Sequence, residues 1–173
     1  LLDSLLSTDP PIEENYEKAF RFYISRQQID SAEKLLIKGI QQIPKSFRLH
    51  MLLSEVHLNR KDIDTALQTL ETCLEFEEDT AHPGIIKTKN ALARIHFQMG
   101  KMDIAEQYVT EVLKENPNDI DSRFIKGQIH LRRGDGENAI SDFRTIVGDK
   151  PEFIKGYLLL AEAHVLNKET DLA

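Results

Sequence analysis

The chain has 173 residues, of which 29% are charged and 40% apolar, and its formal net charge is −7. The acidic balance and the lack of clustered lysines and arginines argue against a general nucleic-acid binder, because phosphate affinity depends on such clusters. No run of about 18 apolar residues occurs, which argues against membrane insertion. The single cysteine, Cys73, excludes an internal disulfide framework.

Proline and alanine recur at matching intervals along the chain. The prolines Pro10, Pro44, Pro83, Pro117 and Pro151 are separated by 34, 39, 34 and 34 residues. The same four intervals separate Ala32, Ala66, Ala105, Ala139 and Ala173. A period near 34 residues is typical of a repeat built from two helices. We therefore expect a stack of repeats in which each repeat contacts its neighbours, in place of one central core.

These intervals divide the chain into four complete repeats with a partial repeat at each end. The complete repeats are residues 13–46, 47–85, 86–119 and 120–153. Residues 1–12 are expected to be the tail of a preceding repeat, and residues 154–173 a truncated fifth repeat. We expect the chain to be a fragment of a longer array. Uncovered apolar faces at its two ends would then predict weak end-to-end self-association.

Each repeat is predicted to contain a first and a second helix joined by a short turn. The first helix of repeat 1 is predicted near residues 14–26, where apolar side chains recur at helical spacing. Acidic residues near the start of the second helices predict N-terminal caps, because a carboxylate accepts the free amides there. The predicted caps are Asp30 with Glu33, Asp64, and Asp103 with Glu106.

Repeat 2 is five residues longer than the others, and the insertion falls within E-F-E-E-D-T-A-H-P-G. Two alternatives remain open: the second helix is longer by about one turn, or the loop bulges. The acidic cluster Glu75, Glu77, Glu78 and Asp79 is interpreted as solvated surface, since carboxylate runs usually are.

Small residues mark the predicted points where helices cross closely. Ser54, Ala93, Gly127 and Ala161 share one position in the first helices, and the alanine series occupies the second helices. Phe20 takes that position in repeat 1, which predicts a wider crossing filled by its ring.

Four histidines share another position in successive repeats, namely His57, His96, His130 and His164, with Tyr23 in repeat 1. Helix axes about 8 to 10 Å apart cannot bring four rings to one zinc ion. We expect half-buried rings whose polar tips bond to a neighbouring helix.

With these residues, the chain resembles the tetratricopeptide repeat family over nearly its whole length. The resemblance implies an all-α, right-handed superhelical solenoid of antiparallel helix pairs, whose first helices line a concave groove for peptides or helices of partner proteins. Carried over to this sequence, the implied groove residues are Glu17, Arg21, Ile24, Met51, Glu55, Leu58, Asn90, Arg94, Phe97, Phe124, Gln128, Leu131, Leu158, Glu162 and Val165.

Two features of these groove positions bear on the partner. Family members that bind chaperone C-termini carry a clamp of Lys, Asn and Arg, whereas this chain has Glu17 and Arg21 there, so that partner class is not expected. The apolar series Ile24, Leu58, Phe97, Leu131 and Val165 fits either a groove floor or packing between repeats. Apolar pairs seven residues apart, such as Phe124 with Leu131, favour an apolar groove in the later repeats.

No motif for catalysis occurs in the sequence, such as His-Glu-x-x-His, a nucleophile elbow or paired Cys-x-x-Cys. We predict a non-catalytic scaffold that binds a protein or peptide partner and needs no cofactor or metal. The alternatives are the regulatory array of a larger enzyme, such as a glycosyltransferase, and an RNA-binding helical repeat, which the net charge disfavours. A similarity to bacterial cell-envelope repeat proteins favours the envelope or periplasm, with the cytoplasm as the alternative.

Overall fold

The structure is a computed structural model, and it describes residues 10–168. Within this range it contains nine α-helices and no strand. The helices are α1 (Glu13–Ser25), α2 (Ile29–Gln42), α3 (Phe47–Asn59), α4 (Ile63–Cys73), α5 (Pro83–Gln98), α6 (Met102–Glu115), α7 (Ile120–Arg132), α8 (Gly136–Asp149) and α9 (Ile154–Leu166). The predicted all-α array of paired helices is confirmed. The predicted tail in residues 1–9 and the last alanine of the series, Ala173, lie outside the described residues.

The chain divides into two compact units, with the boundary between Thr88 and Lys89 inside α5. In the first unit, α1 packs against α2, α2 against α3 and α3 against α4, while α1 also contacts α3. In the second unit, α6 packs against α7, α7 against α8 and α8 against α9, while α7 also contacts α9. Within each unit, then, consecutive helices pack together and first helices of successive repeats touch, as repeat stacking requires.

Small residues lie where the helices approach most closely. Ala32, Ala66, Ala105 and Ala139, one on each second helix, are fully buried. Gly127 shows why the crossing in α7 needs a small residue, because a Cβ atom there would lie 2.7 Å from the ring of Phe143 on α8. In repeat 1, the ring of Phe20 is buried in the hydrophobic core of the first unit.

The turn that follows each first helix, apart from the sequence beyond residue 168, has one feature in common. It places one residue in the left-handed region, with φ of +57° at Gln27, +63° at Lys61, +78° at Gly100 and Gly134, and +62° at Lys168. Glycine adopts this conformation freely, whereas other residues pay about 1 to 2 kcal/mol.

The insertion in repeat 2 forms a loop and also extends the following helix. α4 ends at Cys73, residues 74–82 are non-helical, and α5 begins at Pro83 with 16 residues against 13 in the other first helices. Pro83 suits the first helical position, where a missing N–H loses no bond. The backbone N–H of Gly84 donates to Nδ1 of His82 at 3.1 Å. The alternative of a longer second helix is therefore wrong.

The predicted caps of the second helices are also wrong. Asp30, Asp64 and Asp103 each lie inside the first turn, because α2, α4 and α6 begin one residue earlier. α4 is capped by Asp62, whose carboxylate accepts from the backbone N–H of Thr65 at 3.2 Å. α8 is capped in the same way by Asp135, which accepts from Asn138 at 3.2 Å. The residues before α2 and α6, Gln28 and Lys101, make no side-chain cap.

Two of the misassigned acidic pairs bind arginines instead. Arg60, which follows α3, donates to Asp30 at 2.5 Å and to Glu33 at 2.7 Å. Arg133, which follows α7, donates to Asp103 at 2.8 Å and to Glu106 at 2.7 Å. Each arginine therefore ties the end of a first helix to the first turns of the second helix in the preceding repeat. We call these two groups the arginine forks.

Candidate interaction surface on the first helices

In the first unit, the predicted groove residues on α1 are largely engaged with the protein itself. The carboxylate of Glu17 accepts from Arg21 at 2.5 Å and from Nε of Arg48 at 3.1 Å. The hydrogen bond from Arg48, reinforced by Arg21, holds the pKa of Glu17 below its usual value. The Ile24 side chain packs against the hydrophobic core, whereas Arg21 is exposed. Of the expected charge pair, Arg21 is thus the more accessible partner.

On α3, Met51 and Leu58 are half-buried and Glu55, between them, is exposed. Residues seven apart lie on one helix face, so this face of α3 is apolar at both ends and acidic in the middle. It remains open to solvent along part of its length within the first unit.

On α5, two of the three predicted groove residues act within the fold. The Asn90 side chain is 7% exposed, donates to Oδ1 of Asp119 at 2.8 Å and accepts from the hydroxyl of Ser122 at 2.5 Å. Phe97 is 6% exposed, and the guanidinium of Arg132 lies 4.0 Å from its ring centroid. The expectation of accessible side chains is wrong at these two positions, while Arg94 on the same helix is exposed.

On α7, Phe124, Gln128 and Leu131 are half-buried. The Phe124 ring meets Phe143 edge-on at 6.1 Å and Phe153 at 5.4 Å. Leu131 packs against the same hydrophobic cluster as Phe124. These residues therefore contribute to packing as well as to the surface.

On α9, all three predicted groove residues are exposed to solvent. Leu158 is 66% exposed and Val165 is 55% exposed, with Glu162 exposed between them. Along the apolar series, Ile24, Phe97 and Leu131 pack within the array, whereas Val165 lies on the surface. Packing within the array therefore accounts for Ile24, Phe97 and Leu131, while a groove floor stays a prediction at Val165.

Three of the four equivalent histidines face residues at second helices, and two of the four, His96 and His164, are buried where half-buried rings were expected. His57 lies 3.8 Å from the Glu33 carboxylate, and the His96 ring stacks on Tyr108 at 6.0 Å. His130 lies 3.3 Å from Asp135 and 3.7 Å from Asp142. Among residues 10–168, no group of three or more metal-ligating side chains comes together.

Two buried groups among the described residues, Asp142 and Cys73, have raised pKa values. Burial raises the pKa of the Asp142 carboxyl, against the attraction of Lys126, His130 and Arg123. Burial likewise raises the pKa of the Cys73 thiol to about 12. The thiol is completely buried, so it fills space between helices.

None of the described helices has the length and apolar character needed to span a bilayer.

Comparisons with known proteins agree with this architecture. Residues 90–152 match the model of the tetratricopeptide repeat family. MamA has a TM-score of 0.70 at 17% identity, with 90% of this chain and 82% of MamA covered. BtubC from P. vanneervenii has a TM-score of 0.80 at 14% identity, with 92% and 74% covered. Kinesin light chain TPR-like repeats from Podosopora anserina have a TM-score of 0.70 at 16% identity, with 91% and 87% covered.

No curated protein sequence matches the chain. Identities of this size show a shared fold, and the family match adds sequence evidence in the segment from Asn90 to Glu152. The helices outside that segment repeat the same pairing, the same turn conformation and the same buried alanines. Residues 90–152 therefore match the tetratricopeptide repeat family, and the described helices outside this segment share the same fold.

Proposed function

We propose that this chain is a non-catalytic scaffold that binds a peptide or helix of a partner protein on the first helices of its repeats. The observation that carries the proposal is the surface of α9. Leu158 and Val165 lie seven residues apart, share one helix face and are both more than half exposed. Contiguous exposed apolar surface of this kind often marks an interaction site.

The neighbouring first helix supports the same proposal. α7 contacts α9, and it carries Phe124 and Leu131 at the positions equivalent to Leu158 and Val165. Phe124 and Leu131 are half-buried, whereas Leu158 and Val165 are more than half exposed, so the apolar surface is partly fixed by packing and partly open to solvent. Gln128 and Glu162 lie at the middle of each pair and would provide polar contacts that orient a ligand.

In the first unit, the first helices offer more charge. Arg21 and Glu55 are exposed there beside the half-buried Met51 and Leu58. Charged groups at the edge of an interface mainly guide association and orientation, while buried apolar contact holds the partner. We infer that the first unit contributes to specificity and the second unit more strongly to affinity.

The double variant Leu158→Glu/Val165→Glu tests this function. The chain and the variant are immobilised, and proteins captured from the native lysate are quantified. We expect partner recovery to fall about tenfold or more, because two carboxylates replace the apolar contact. Ser141→Glu, an exposed change on α8, is the matched control and should leave recovery unchanged.

Circular dichroism should show unaltered helicity for both variants, since all three changed residues are exposed. Equal recovery by the wild-type chain and Leu158→Glu/Val165→Glu would contradict the proposed surface. Phe124→Ala and Leu131→Glu are weaker tests, because these side chains also pack against the core and their loss would destabilise the second unit.

A further inference from the structure

We propose that a pocket in the first unit, bounded by the inserted loop, binds a carboxylate-rich segment of a partner protein together with one large apolar side chain. This inference rests on the proposed scaffold function and gives the partner a chemical character. The pocket, which we call the loop pocket, has a volume of about 520 Å³ and opens between the starts of α3 and α5. Ligand pockets in proteins are usually about 300 to 1,000 Å³.

The insertion builds one wall of the loop pocket. The Phe47 ring stacks on the His82 ring at 5.2 Å and meets Phe76 edge-on at 5.3 Å. A Cβ atom at Gly84 would lie 2.5 to 2.7 Å from the Phe47 ring, so only glycine allows the ring to lie against the first turn of α5. His82 and Gly84 belong to the ten-residue stretch that contains the insertion. The extra residues of repeat 2 therefore create a surface that the other repeats lack.

The floor of the loop pocket is apolar. Ile43, Phe47 and Met51 line it, and each is half-buried, so part of each side chain faces the opening. Covering such surface contributes about 25 cal/mol per Å² of apolar area removed from water. A ligand with one leucine or phenylalanine side chain would use this floor.

The rim of the loop pocket is cationic. Lys45, Arg48 and Lys87 line the pocket, in a chain whose net charge is −7. The Lys45 ammonium donates to the backbone carbonyl of Phe76 at 3.4 Å, and Lys87 is exposed. Within residues 10–168, neither lysine forms a salt bridge with a carboxylate. Both ammonium groups therefore retain bonding capacity for an incoming anion.

A single carboxylate, that of Glu13, lines the pocket, and it already accepts a hydrogen bond from the Ser46 hydroxyl. Arg48 is bound to Glu17 and contributes less free charge than the lysines. The first turns of α3 and α5 contain no acidic residue. Their positive dipole ends thus add to the field of Lys45 and Lys87 at the opening.

These features favour a segment in which carboxylates flank a large apolar side chain. A free inorganic anion would leave the apolar floor uncovered. A second copy of this chain could offer its own acidic run around Phe76, but that ring packs at 5.3 Å from Phe47 and 4.8 Å from His50 in its own molecule. Inserting it elsewhere would dismantle the loop, so a segment of another protein fits better.

Fluorescence anisotropy with a labelled peptide tests the inference. The probe is Gly-Glu-Asp-Glu-Leu-Phe-Glu-Asp-Gly, and two control peptides replace either the acids by Gln and Asn or the Leu-Phe pair by Ser-Ser. We expect the whole chain to bind the probe and to bind each control peptide about tenfold more weakly or less. Raising the salt concentration should weaken binding of the probe.

Charge reversal locates the site. Lys45→Glu/Lys87→Glu should weaken binding of the probe about tenfold or more. Lys34→Glu/Lys38→Glu makes the same change in net charge on exposed lysines of α2 that do not line the pocket, and it should change affinity by less than about twofold. Leu158→Glu/Val165→Glu should also leave probe binding unchanged.

Several outcomes would overturn the inference. These are no binding of the probe, equal weakening by the two lysine double variants, equal binding of the Gln and Asn peptide, or full displacement by millimolar phosphate or by a single-stranded RNA. If the probe fails while capture from lysate still depends on Leu158 and Val165, the scaffold function stands and the loop pocket does not.

Discussion

The guanidinium of Arg133 donates to the carboxylate of Glu106 at 2.7 Å and so joins the residue after α7 to the first turns of α6. Arg60 makes the same connection to Glu33, also at 2.7 Å, 73 residues earlier. The repeat that follows each arginine fork does not continue the series, because Met99 and Asn167 occupy the places equivalent to the arginines.

The arginine forks predict a salt-dependent contribution to stability. Arg133→Gln and Arg60→Gln should each lower the urea midpoint modestly, because the ion pairs are partly exposed. The loss should shrink between about 0.05 M and 1 M NaCl as the charges are screened. Arg144→Gln, an exposed change on α8, serves as the control. A loss that is independent of salt would show that packing of the arginine stem dominates.

Two glycines predict opposite effects of the same substitution. Gly127→Ala should destabilise the chain by about 1 to 3 kcal/mol, because the new methyl group would lie 2.7 Å from the Phe143 ring. Gly148→Ala on α8 meets no atom within 4 Å and should stabilise by about 0.5 to 1 kcal/mol through helix propensity. Urea unfolding of both variants measures the difference. Stabilisation by Gly127→Ala would contradict the close crossing of α7 and α8.

The buried carboxylate of Asp142 predicts a pH-dependent substitution effect. Burial raises its pKa in the folded state, so its ionised form costs stability above that pKa, and this cost disappears as the pH falls below the unfolded-state pKa. Its contacts with Arg123 at 3.6 Å and His130 at 3.7 Å are too long for strong charge-assisted hydrogen bonds.

Asp142→Asn should therefore raise the free energy of unfolding at pH 7, and its advantage should shrink toward about pH 3. Urea titrations at several pH values measure this difference. Destabilisation at pH 7 would show that attraction to Arg123 and His130 outweighs burial.

The Cys73 thiol should be inert in the folded chain. It is fully buried, and its pKa of about 12 leaves almost no thiolate at pH 8. Labelling with a thiol reagent should be slow in buffer and fast in concentrated urea, with a rate that follows the unfolding curve. Fast labelling in buffer would show local opening between α4 and its neighbours in the first unit.

The apolar surface of α9 predicts self-association of this chain at high concentration. Ile154, Tyr157, Leu158, Val165 and Leu166 are all exposed there. Light scattering should give an apparent mass that rises with concentration, and Leu158→Glu/Val165→Glu should suppress the rise because charge opposes burial of that face. A mass that stays constant with concentration for the unchanged protein would contradict this prediction.

The sequence allowed a correct prediction of the paired-helix architecture because its small residues have one dominant role. Ala32, Ala66, Ala105 and Ala139 are conspicuous as a series, and close crossing explains their complete burial. The predicted caps are wrong because aspartate is also favourable within the first turn of a helix, where its negative charge interacts with the positive end of the helix dipole. Asp62 and Asp135, four residues before their alanines, are the signal that identifies the true caps.

The surface could be predicted less well than the core. Helical spacing places Asn90 and Phe97 on the same face as Arg94, but it does not reveal that Asp119 and Arg132 cover them. The loop pocket could not be predicted from the sequence either, because it depends on the contact of Phe47 with Gly84 across a loop of changed length. Such contacts join residues far apart in sequence and depend on where each helix begins.

The spacing of the arginine forks has a consequence for how this array can be shortened. Deleting residues 47–85 alone would bring Met99 to the place where Asp30 and Glu33 now meet a guanidinium, and two carboxylates would lose their counter-ion. Removing two successive repeats would instead supply Arg133 to the same pair. Arrays trimmed by whole pairs should therefore fold better than arrays trimmed by single repeats, so the natural module for engineering this protein is about 70 residues long.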